Sequence, residues 1–232
     1  MIVSANQPYF APFPGFFYKA HLSDVLVLLD EVQFPRGTTW ITRNRFKNDQ
    51  GTLWMTIPVK KKGLGLQNIN AVRIYHEGHW ARKHLASFKN AYANAPYFAD
   101  HINFLEKLFS KKFEKLIDLN LEIIRYLIRH LKIDTKVVLL SELGIQARGD
   151  QLLIDICRAQ GASRYLAQSP AQKYLNPDLF RDAKIKLADF KPPAIIYPQL
   201  WGSFIPNLSA LDLVFNCGPK AHEIITAGGG IA

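Results

Sequence analysis

The sequence has few cysteines, fewer acidic than basic residues and no long hydrophobic run, and each shortage argues against a class of protein. Its two cysteines, Cys157 and Cys217, are far apart and belong to no CxxC motif. A disulfide scaffold or a zinc ribbon is therefore not expected, and a reducing, cytoplasmic location is predicted. No apolar run approaches the ~18 residues of a membrane-spanning helix. The N-terminus also lacks the basic and apolar regions of a secretion signal.

Several widespread catalytic motifs are also missing. The chain contains no GxxxxGK(S/T) phosphate loop, no GxSxG hydrolase motif and no HExxH zinc motif. The string His76-Glu77-Gly78-His79 matches the HxGH signature of class I nucleotidyltransferases, but it follows the fifth predicted strand, whereas the signature usually follows the first. Both a nucleotide site and a plain turn at the start of a helix stay open for it, and we predict no metal site.

Basic residues are in excess, with 29 Lys and Arg against 19 Asp and Glu and a net charge of +10. The excess is concentrated between Pro35 and Lys62, where Asp49 is the one acid. The basic residues of this segment are Arg36, Arg43, Arg45, Lys47, Lys60, Lys61 and Lys62. Such a cluster forms either a solvated surface or a site for phosphate, nucleotide or nucleic acid.

The order of the predicted elements indicates an α/β fold. Residues 2–6 and 25–29 form apolar strands around a short helix over 15–22, and a β-α-β unit of this kind has parallel strands. Strands and helices alternate again after residue 135, which predicts a mostly parallel, nucleotide-binding-like sheet with helices on its faces. The length of 232 residues fits one α/β domain over 1–232.

Two segments interrupt this alternation. A basic β-hairpin is predicted over 38–59, because the turn sequence Asn48–Gly51 separates two strand-like runs. Alternation along its first strand puts three basic residues on one side of the hairpin: Arg43, Arg45 and Lys47. Three successive runs of helical periodicity predict a three-helix insertion or lid over 79–131.

Polar turns follow the first two predicted strands and mark the candidate site. Gln7 and Tyr9 follow the first strand, and Asp30 and Gln33 follow the second. Ligands of open α/β sheets bind at the edge where the strands end, so these four residues are expected together at that edge. Asp30 is the candidate catalytic residue, as a general base or as a ligand of Mg²⁺.

The hairpin supplies further candidate binding residues, because it begins a few residues after Gln33. Trp40, Arg43, Asn44 and Arg45 are expected to bind substrate, and arginine forks suit phosphate geometry. The alternative is structural: Asp30 forms a salt bridge with Arg43 or Arg45 and thereby fixes the hairpin.

A helix near the C-terminus adds two candidates from far along the chain. Asp212 and Asn216 are four residues apart and share a helix face, which we expect to point into the same cleft. The alternative is that Ser209 caps the start of this helix and Asn216 its end.

Six blocks of the sequence resemble the WbqC-like protein family. They are QPYFAPFPGFF, SDVLVLLDEVQF, WITRNR, WARKHLASFKNAYANAPYF, RAQGASRYLAQS and FIPNLSALDLVFNCG, in this order along nearly the whole chain. The chain departs from the family pattern in the first turn. Asn6 stands where many members have His or Met, and Pro14 replaces an aliphatic residue.

The resemblance implies a function in surface-polysaccharide (O-antigen) biosynthesis. It implies a transferase, with aminoacyl (glycyl) transfer to a sugar as the suggested reaction. The expected partner is an anionic small molecule, a nucleotide or a nucleotide-linked sugar, and the candidate cofactor is ATP or another nucleotide with Mg²⁺. The alternative is an RNA-binding or other nucleic-acid-binding protein, because Trp40, Phe46 and Trp54 lie among the basic residues of the hairpin. The sequence leaves the oligomeric state open.

Overall fold

The fold is known from a computed structural model, which describes residues 1–168 and 173–227. Residues 169–172 and 228–232, which the prediction of one domain over 1–232 included, lie outside the described residues. The strands are β1 (Ile2–Asn6), β2 (Val25–Leu28), β3 (Arg43–Asn48), β4 (Gly51–Thr56), β5 (Lys136–Leu139), β6 (Arg164–Gln168) and β7 (Lys186–Phe190). The α-helices are α1 (Pro14–His21), α2 (Trp80–Tyr92), α3 (Phe98–Ser110), α4 (Leu116–His130), α5 (Gly149–Ala159), α6 (Pro177–Asp182), α7 (Ala210–Cys217) and α8 (Ala221–Thr226).

A five-stranded parallel sheet forms the centre of the fold, in the order β5-β2-β1-β6-β7. The order runs outward from β1 in both directions, which is the topology of a doubly wound α/β sheet. The predicted mixed α/β fold with a mostly parallel sheet is confirmed. The predicted parallel pairing of the first two strands is also confirmed, with Val3 opposite Val25.

The two faces of the sheet are covered by different helices. Phe16 and Phe17 of α1 pack with Leu26 and Leu28 on one face. On the other face, α5 and α6 pack against Val3, Val25 and their neighbours. From β1 the chain adds strands on one side through β2 and β5 and on the other side through β6 and β7. Because crossovers between parallel strands are right-handed, the helices of the two sides lie on opposite faces of the sheet.

Strands β1 and β6 separate towards their carboxyl ends. They pair only through Ile2 with Arg164 and Val3 with Tyr165. The Lys19 ammonium group of α1 then takes the place of a strand partner and donates to the Ala5 carbonyl at 3.0 Å and to Asn6 Oδ1 at 3.1 Å. A crevice therefore opens at the point where the strand order reverses.

The hairpin of β3 and β4 is shorter than predicted but has the predicted turn. Asn48 pairs with Gly51, so Asp49 and Gln50 form the tight connection. Residues 38–42 are not part of the strand, because Thr39 closes a turn: its hydroxyl accepts from the Ile41 N–H and its carbonyl from the Thr42 hydroxyl. The buried Phe46 contacts Phe10 and Phe88 and anchors the hairpin to the core.

Helices α2, α3 and α4 correspond to the predicted three-helix segment. Their buried residues belong to the same hydrophobic cluster as α1 and one face of the sheet. Within the described ranges, no helix is both long and apolar enough to cross a membrane.

Candidate functional site

A cavity of about 650 Å³ lies at the carboxyl edge of the parallel sheet, beside the crevice between β1 and β6. Tyr9 and Phe13 reach it from the turn after β1, and Gln168 reaches it from the end of β6. Trp40, Asn44 and Arg45 of the hairpin region form a second wall. The volume is in the range of small-molecule sites, and the location is where doubly wound sheets bind ligands.

The third wall of the cavity comes from residues 191–209, the long connection between β7 and α7. Its cavity-lining residues include Lys191, Pro192, Phe204 and Asn207. Gly15 allows the close approach of α1 to this connection, because a Cβ atom there would lie 2.9 Å from the Cβ of Pro192. The start of α1 and the connection thus close one side of the cavity.

The cavity wall is positively charged and aromatic. Arg45 and Lys191 are its cations, and the described residues that line it include no Asp or Glu. The same residues include no Ser, Thr, Cys or His. The wall can therefore hold an anion and stack against a ring. Among the described wall residues, Tyr9 and Lys191 carry nucleophilic groups, and there is no carboxylate or imidazole base.

Arg45 joins the hairpin to the connection that covers the cavity. Its Nη2 donates to the carbonyls of Pro206 at 3.1 Å and of Asn207 at 3.2 Å. Its Nε is buried and has no hydrogen-bond partner among the described residues. An unsatisfied buried donor of this kind costs about 1–3 kcal/mol. Arg45 thus keeps one buried donor, its Nε, that no described residue satisfies.

Asn44 fixes the turn that carries Tyr9. Its Nδ2 donates to the carbonyls of Phe10 at 3.0 Å and Ala11 at 2.7 Å, and its Oδ1 accepts from the Arg45 N–H. Ala11 has a φ of 43°, a left-handed backbone conformation that residues other than glycine rarely adopt. Asn44 therefore stabilises a strained turn, and its own side chain also lines the cavity.

Tyr9 and Gln7 follow β1 as predicted, but only Tyr9 lines the cavity. Burial raises the pKa of Tyr9 above its ordinary value of 10.0, so its hydroxyl stays protonated at neutral pH and can donate a hydrogen bond. Gln7 is half-buried, and its carbonyl accepts from the Tyr9 N–H at 2.9 Å.

The candidates that follow β2 lie away from this cavity. The buried Asp30 carboxylate accepts hydrogen bonds from the Ser141 N–H at 3.0 Å and the Ser141 hydroxyl at 2.6 Å. It thereby ties the end of β2 to the end of β5 and does not form the salt bridge to Arg43 or Arg45 that was the structural alternative in the sequence analysis. Gln33 lines a separate cavity of about 580 Å³, together with Glu31.

Asp212 and Asn216 lie inside the protein rather than in the cavity wall. Asp212 accepts from the Tyr92 hydroxyl at 2.7 Å, and Asn216 Nδ2 donates to the Asp212 carbonyl at 2.8 Å. Burial raises the pKa of Asp212, whereas the hydrogen bond from Tyr92 opposes the shift. The expected orientation towards the cleft is not found. Ser209 caps the helix, because its Oγ accepts from the Leu211 N–H.

Arg43 packs outside the cavity, against the opposite strand of the hairpin. Its guanidinium carbon lies 3.9 Å from the ring centre of Trp54, and Trp54 in turn stacks on Trp40 at 5.7 Å. Arg43 forms no hydrogen bond or ion pair with any described residue. Of the hairpin candidates, Trp40, Asn44 and Arg45 therefore come together with Tyr9 in the cavity wall, and Arg43 lies at its rim.

The prediction of a uniformly basic hairpin side is wrong for Lys47. This lysine is 1% exposed, and its Nζ donates to the Ser203 carbonyl at 2.7 Å and to Gln199 Oε1 at 3.3 Å. Alternation placed Lys47 correctly beside Arg45, but the 191–209 connection covers that end of the strand.

The histidines of the HEGH string form a turn before α2 and do not line the cavity. His76 Nε2 is 2.8 Å from the Phe113 carbonyl, which fixes the ring by an internal hydrogen bond. Across residues 1–168 and 173–227, no three His, Cys, Asp or Glu side chains are grouped as metal ligands. Both Asp30 oxygens already accept hydrogen bonds from Ser141, so the geometry does not favour Mg²⁺ there.

Sequence analysis missed the contribution of the 191–209 connection. Lys191, Phe204 and Asn207 lie in a proline-rich stretch with neither helical nor strand periodicity, so no pattern placed them at the sheet edge. One usable signal was the sequence FIPN at the start of the last block that resembles the family, in which Phe204 and Asn207 stand a few residues before α7.

Comparisons with known proteins find one family and one curated relative. A family model described as "WbqC-like protein family" matches residues 7–224. The chain is also 28% identical over 225 residues to "Uncharacterized protein Rv1507c" of Mycobacterium tuberculosis, a match that covers 96% of each chain. No solved structure matches significantly.

Proposed function

The chain belongs to the WbqC-like protein family, and we propose that it is a transferase that binds a phosphate-bearing substrate in the carboxyl-edge cavity. The substrate class is a nucleotide or a nucleotide-linked sugar. One observation carries the proposal: the cavity at the reversal point of the sheet has two cations, Arg45 and Lys191, and no acid among its described wall residues. Such a wall favours anions over neutral or cationic ligands.

The wall residues have distinct roles in this proposal. Arg45 and Lys191 hold the phosphate. The amides of Gln168 and Asn207 bind hydroxyl groups of a sugar. The Tyr9 hydroxyl, which burial keeps protonated, donates to an oxygen of the substrate.

The composition of the wall favours direct transfer between two bound substrates. Because the described wall residues include no Ser, Thr, Cys, Asp, Glu or His, a covalent acyl- or glycosyl-protein intermediate is not part of the proposal. Catalysis then consists of placing an activated donor next to its acceptor, which supplies rate through proximity and orientation. The Asp30 general base has no part in this mechanism, since its carboxylate is bound to Ser141.

The finer assignment is surface-polysaccharide biosynthesis, with aminoacyl (glycyl) transfer to a sugar as the reaction. It depends on the resemblance to the family, whereas the cavity supports only the phosphate-bearing substrate. Nucleic-acid binding is the second candidate function, because the exposed Trp54 and Arg43 provide a stacking ring and an available cation.

Calorimetric titration with uridine diphosphate, adenosine diphosphate and a uridine-diphosphate sugar tests the proposal. We expect binding of at least one of these probes, weakened by Lys191→Gln and by Arg45→Lys. The matched control is Lys186→Gln, an exposed lysine of β7 that is not part of the cavity wall. Absence of binding by all phosphate-bearing probes, or equal affinity in the control and both cavity variants, would contradict the proposal.

A further inference from the structure

An exposed group of side chains continues the cavity wall outward over the hairpin. We call this group the rim platform and define it as Trp40, Trp54 and Arg43. Trp40 lines the cavity, its ring stacks on Trp54, and Trp54 carries the Arg43 guanidinium on its ring. On the cavity side, the Arg45 guanidinium carbon lies 5.9 Å from the Trp40 ring centre. Aromatic rings and cations therefore form one row from the cavity to the surface.

The two tryptophan rings of this row are not buried in the hydrophobic core. Trp40 and Trp54 are 43% and 44% exposed, so two large aromatic side chains remain partly in water. Arg43 differs from its neighbours on the same side of β3. Arg45 and Lys47 both donate to the 191–209 connection, whereas Arg43 has no hydrogen-bond or ion-pair partner among the described residues. Its donors are held in place by stacking and remain available.

We propose that the rim platform is the nucleobase subsite of the substrate, so that the base lies outside the cavity and the transferred part lies inside it. This inference rests on the proposed function. The base stacks on the outer plane of the Arg43 guanidinium, which Trp54 supports from the other side, and the phosphates lie near the cavity entrance beside Arg45. Stacking on aromatic and guanidinium planes is a general way in which proteins hold bases.

The opposite orientation fits the side chains less well. The inner cavity wall offers the amides of Gln168 and Asn207, which match the hydroxyl groups of a sugar. The rim offers a planar surface on which a base can stack. Most hydroxyl groups of a sugar would find no hydrogen-bond partner on this surface. Because the two arginines flank the aromatic pair, phosphates that connect base and sugar come to lie beside cations.

Calorimetry with uridine diphosphate and ribose 5-phosphate tests the orientation. The two probes share a phosphorylated ribose, and uridine diphosphate has a base and a second phosphate in addition, so the orientation is judged by the effect of substituting Trp54 rather than by the wild-type affinities alone. We expect wild-type protein to bind uridine diphosphate more tightly. Trp54→Ala should weaken uridine diphosphate about five- to hundredfold, the worth of one stacked base, and leave ribose 5-phosphate unchanged. Trp54→Phe should retain part of the affinity.

Arg43→Gln should weaken uridine diphosphate more than it weakens ribose 5-phosphate, because the guanidinium plane on which the base stacks is lost and ribose 5-phosphate has no base. The matched controls are Tyr75→Ala, an exposed aromatic residue, and Arg82→Gln, an exposed arginine of α2. Neither residue belongs to the cavity wall or the rim platform, so both variants should bind like the wild type.

The outcomes separate the two proposals. If no phosphate-bearing probe binds, the proposed function fails and the rim subsite fails with it. If ribose 5-phosphate binds as tightly as uridine diphosphate and Trp54→Ala changes neither, only the rim subsite is overturned. Affinity that rises steadily with the length of a single-stranded oligonucleotide, while uridine diphosphate binds weakly, would replace the nucleobase subsite with a nucleic-acid surface.

Discussion

The carboxyl edge of the sheet has two halves that look alike in sequence and differ in structure. The turn after β1 and the turn after β2 both carry polar side chains directly behind an apolar strand. The first turn opens into the cation-lined cavity through Tyr9, whereas Asp30 closes the second turn by binding Ser141 after β5.

The difference follows from the topology of the sheet. Strands β1 and β6 lead to connections on opposite faces and separate beyond Val3 and Tyr165, where Lys19 of α1 binds the end of β1. Strands β2 and β5 remain paired up to Leu28 and Leu139, which brings Asp30 within hydrogen-bond distance of Ser141. The cavity that we propose as the ligand site therefore lies where neighbouring strands diverge.

The largest effect is expected from a substitution in the turn after β2, where Asp30 binds Ser141. Asp30→Ala removes both acceptors of Ser141 and should lower the free energy of unfolding by about 3 kcal/mol. Urea unfolding measures this loss. The affinity of the cavity for uridine diphosphate should not change, and Asp30→Asn, which keeps one acceptor, should lose less. A variant of normal stability with impaired binding would place Asp30 in the site after all.

The next largest effect is expected in the turn after β1, which opens into the cavity through Tyr9. Asn44→Ala leaves the Phe10 and Ala11 carbonyls without their donor and should cost about 2 kcal/mol of unfolding free energy. Unlike Asp30→Ala, it should also weaken uridine diphosphate, because the turn that carries Tyr9 is no longer fixed. Parallel unfolding and calorimetric measurements on the two variants reveal the contrast. Unchanged affinity in Asn44→Ala would show that the turn does not need this support.

The crevice between β1 and β6 should show a characteristic pH dependence through Lys19. Burial lowers the pKa of Lys19 from 10.5 to about 7. Between these values the unfolded chain holds a proton that the folded chain lacks, so the contribution of Lys19 to stability rises with pH. The slope is at most about 1.4 kcal/mol per pH unit.

Urea unfolding of wild type and Lys19→Met at pH 7.5, 8.5 and 9.5 isolates this contribution, because other groups titrate alike in both proteins. We expect the stability of wild type relative to the variant to increase with pH. A difference that is constant over this range would mean that Lys19 keeps its ordinary pKa.

The smallest effect is expected for Lys191→Gln, since Lys191 is exposed and supplies charge rather than packing. The loss should be about 1 kcal/mol of binding free energy, or roughly fivefold in affinity for uridine diphosphate, and it should shrink at high salt. The melting temperature should remain that of the wild type. A lowered melting temperature with unchanged affinity would indicate a structural role.

Sequence patterns located much of the site but could not separate its two halves. Tyr9, Trp40, Asn44 and Arg45 were found because polar and aromatic residues stand directly after strands or alternate along one. Gln33 was found by the same rule and lies in another cavity, since the rule does not say which strands remain paired.

Residues distant in sequence were harder to place. Asp212 and Asn216 do share a helix face, but the face is buried against Tyr92 of α2 instead of lining the cleft. Periodicity shows which residues lie on the same side of a helix, and it cannot show what covers that side. Lys191 and Phe204 gave no periodic signal at all.

The sequence by itself determined the local elements: the parallel β1-α1-β2 unit, the hairpin around Asp49 and Gln50, and the helices from Trp80 onward. These depend on apolar periodicity, turn residues and helix breakers, which act over a few neighbouring residues. Only the tertiary structure decided that the sheet order reverses at β1 and that residues 191–209 cover the hairpin. It buries Lys47 and leaves Arg43 half-buried, although both stand on one side of one strand, because burial depends on chain segments some 150 residues apart in sequence.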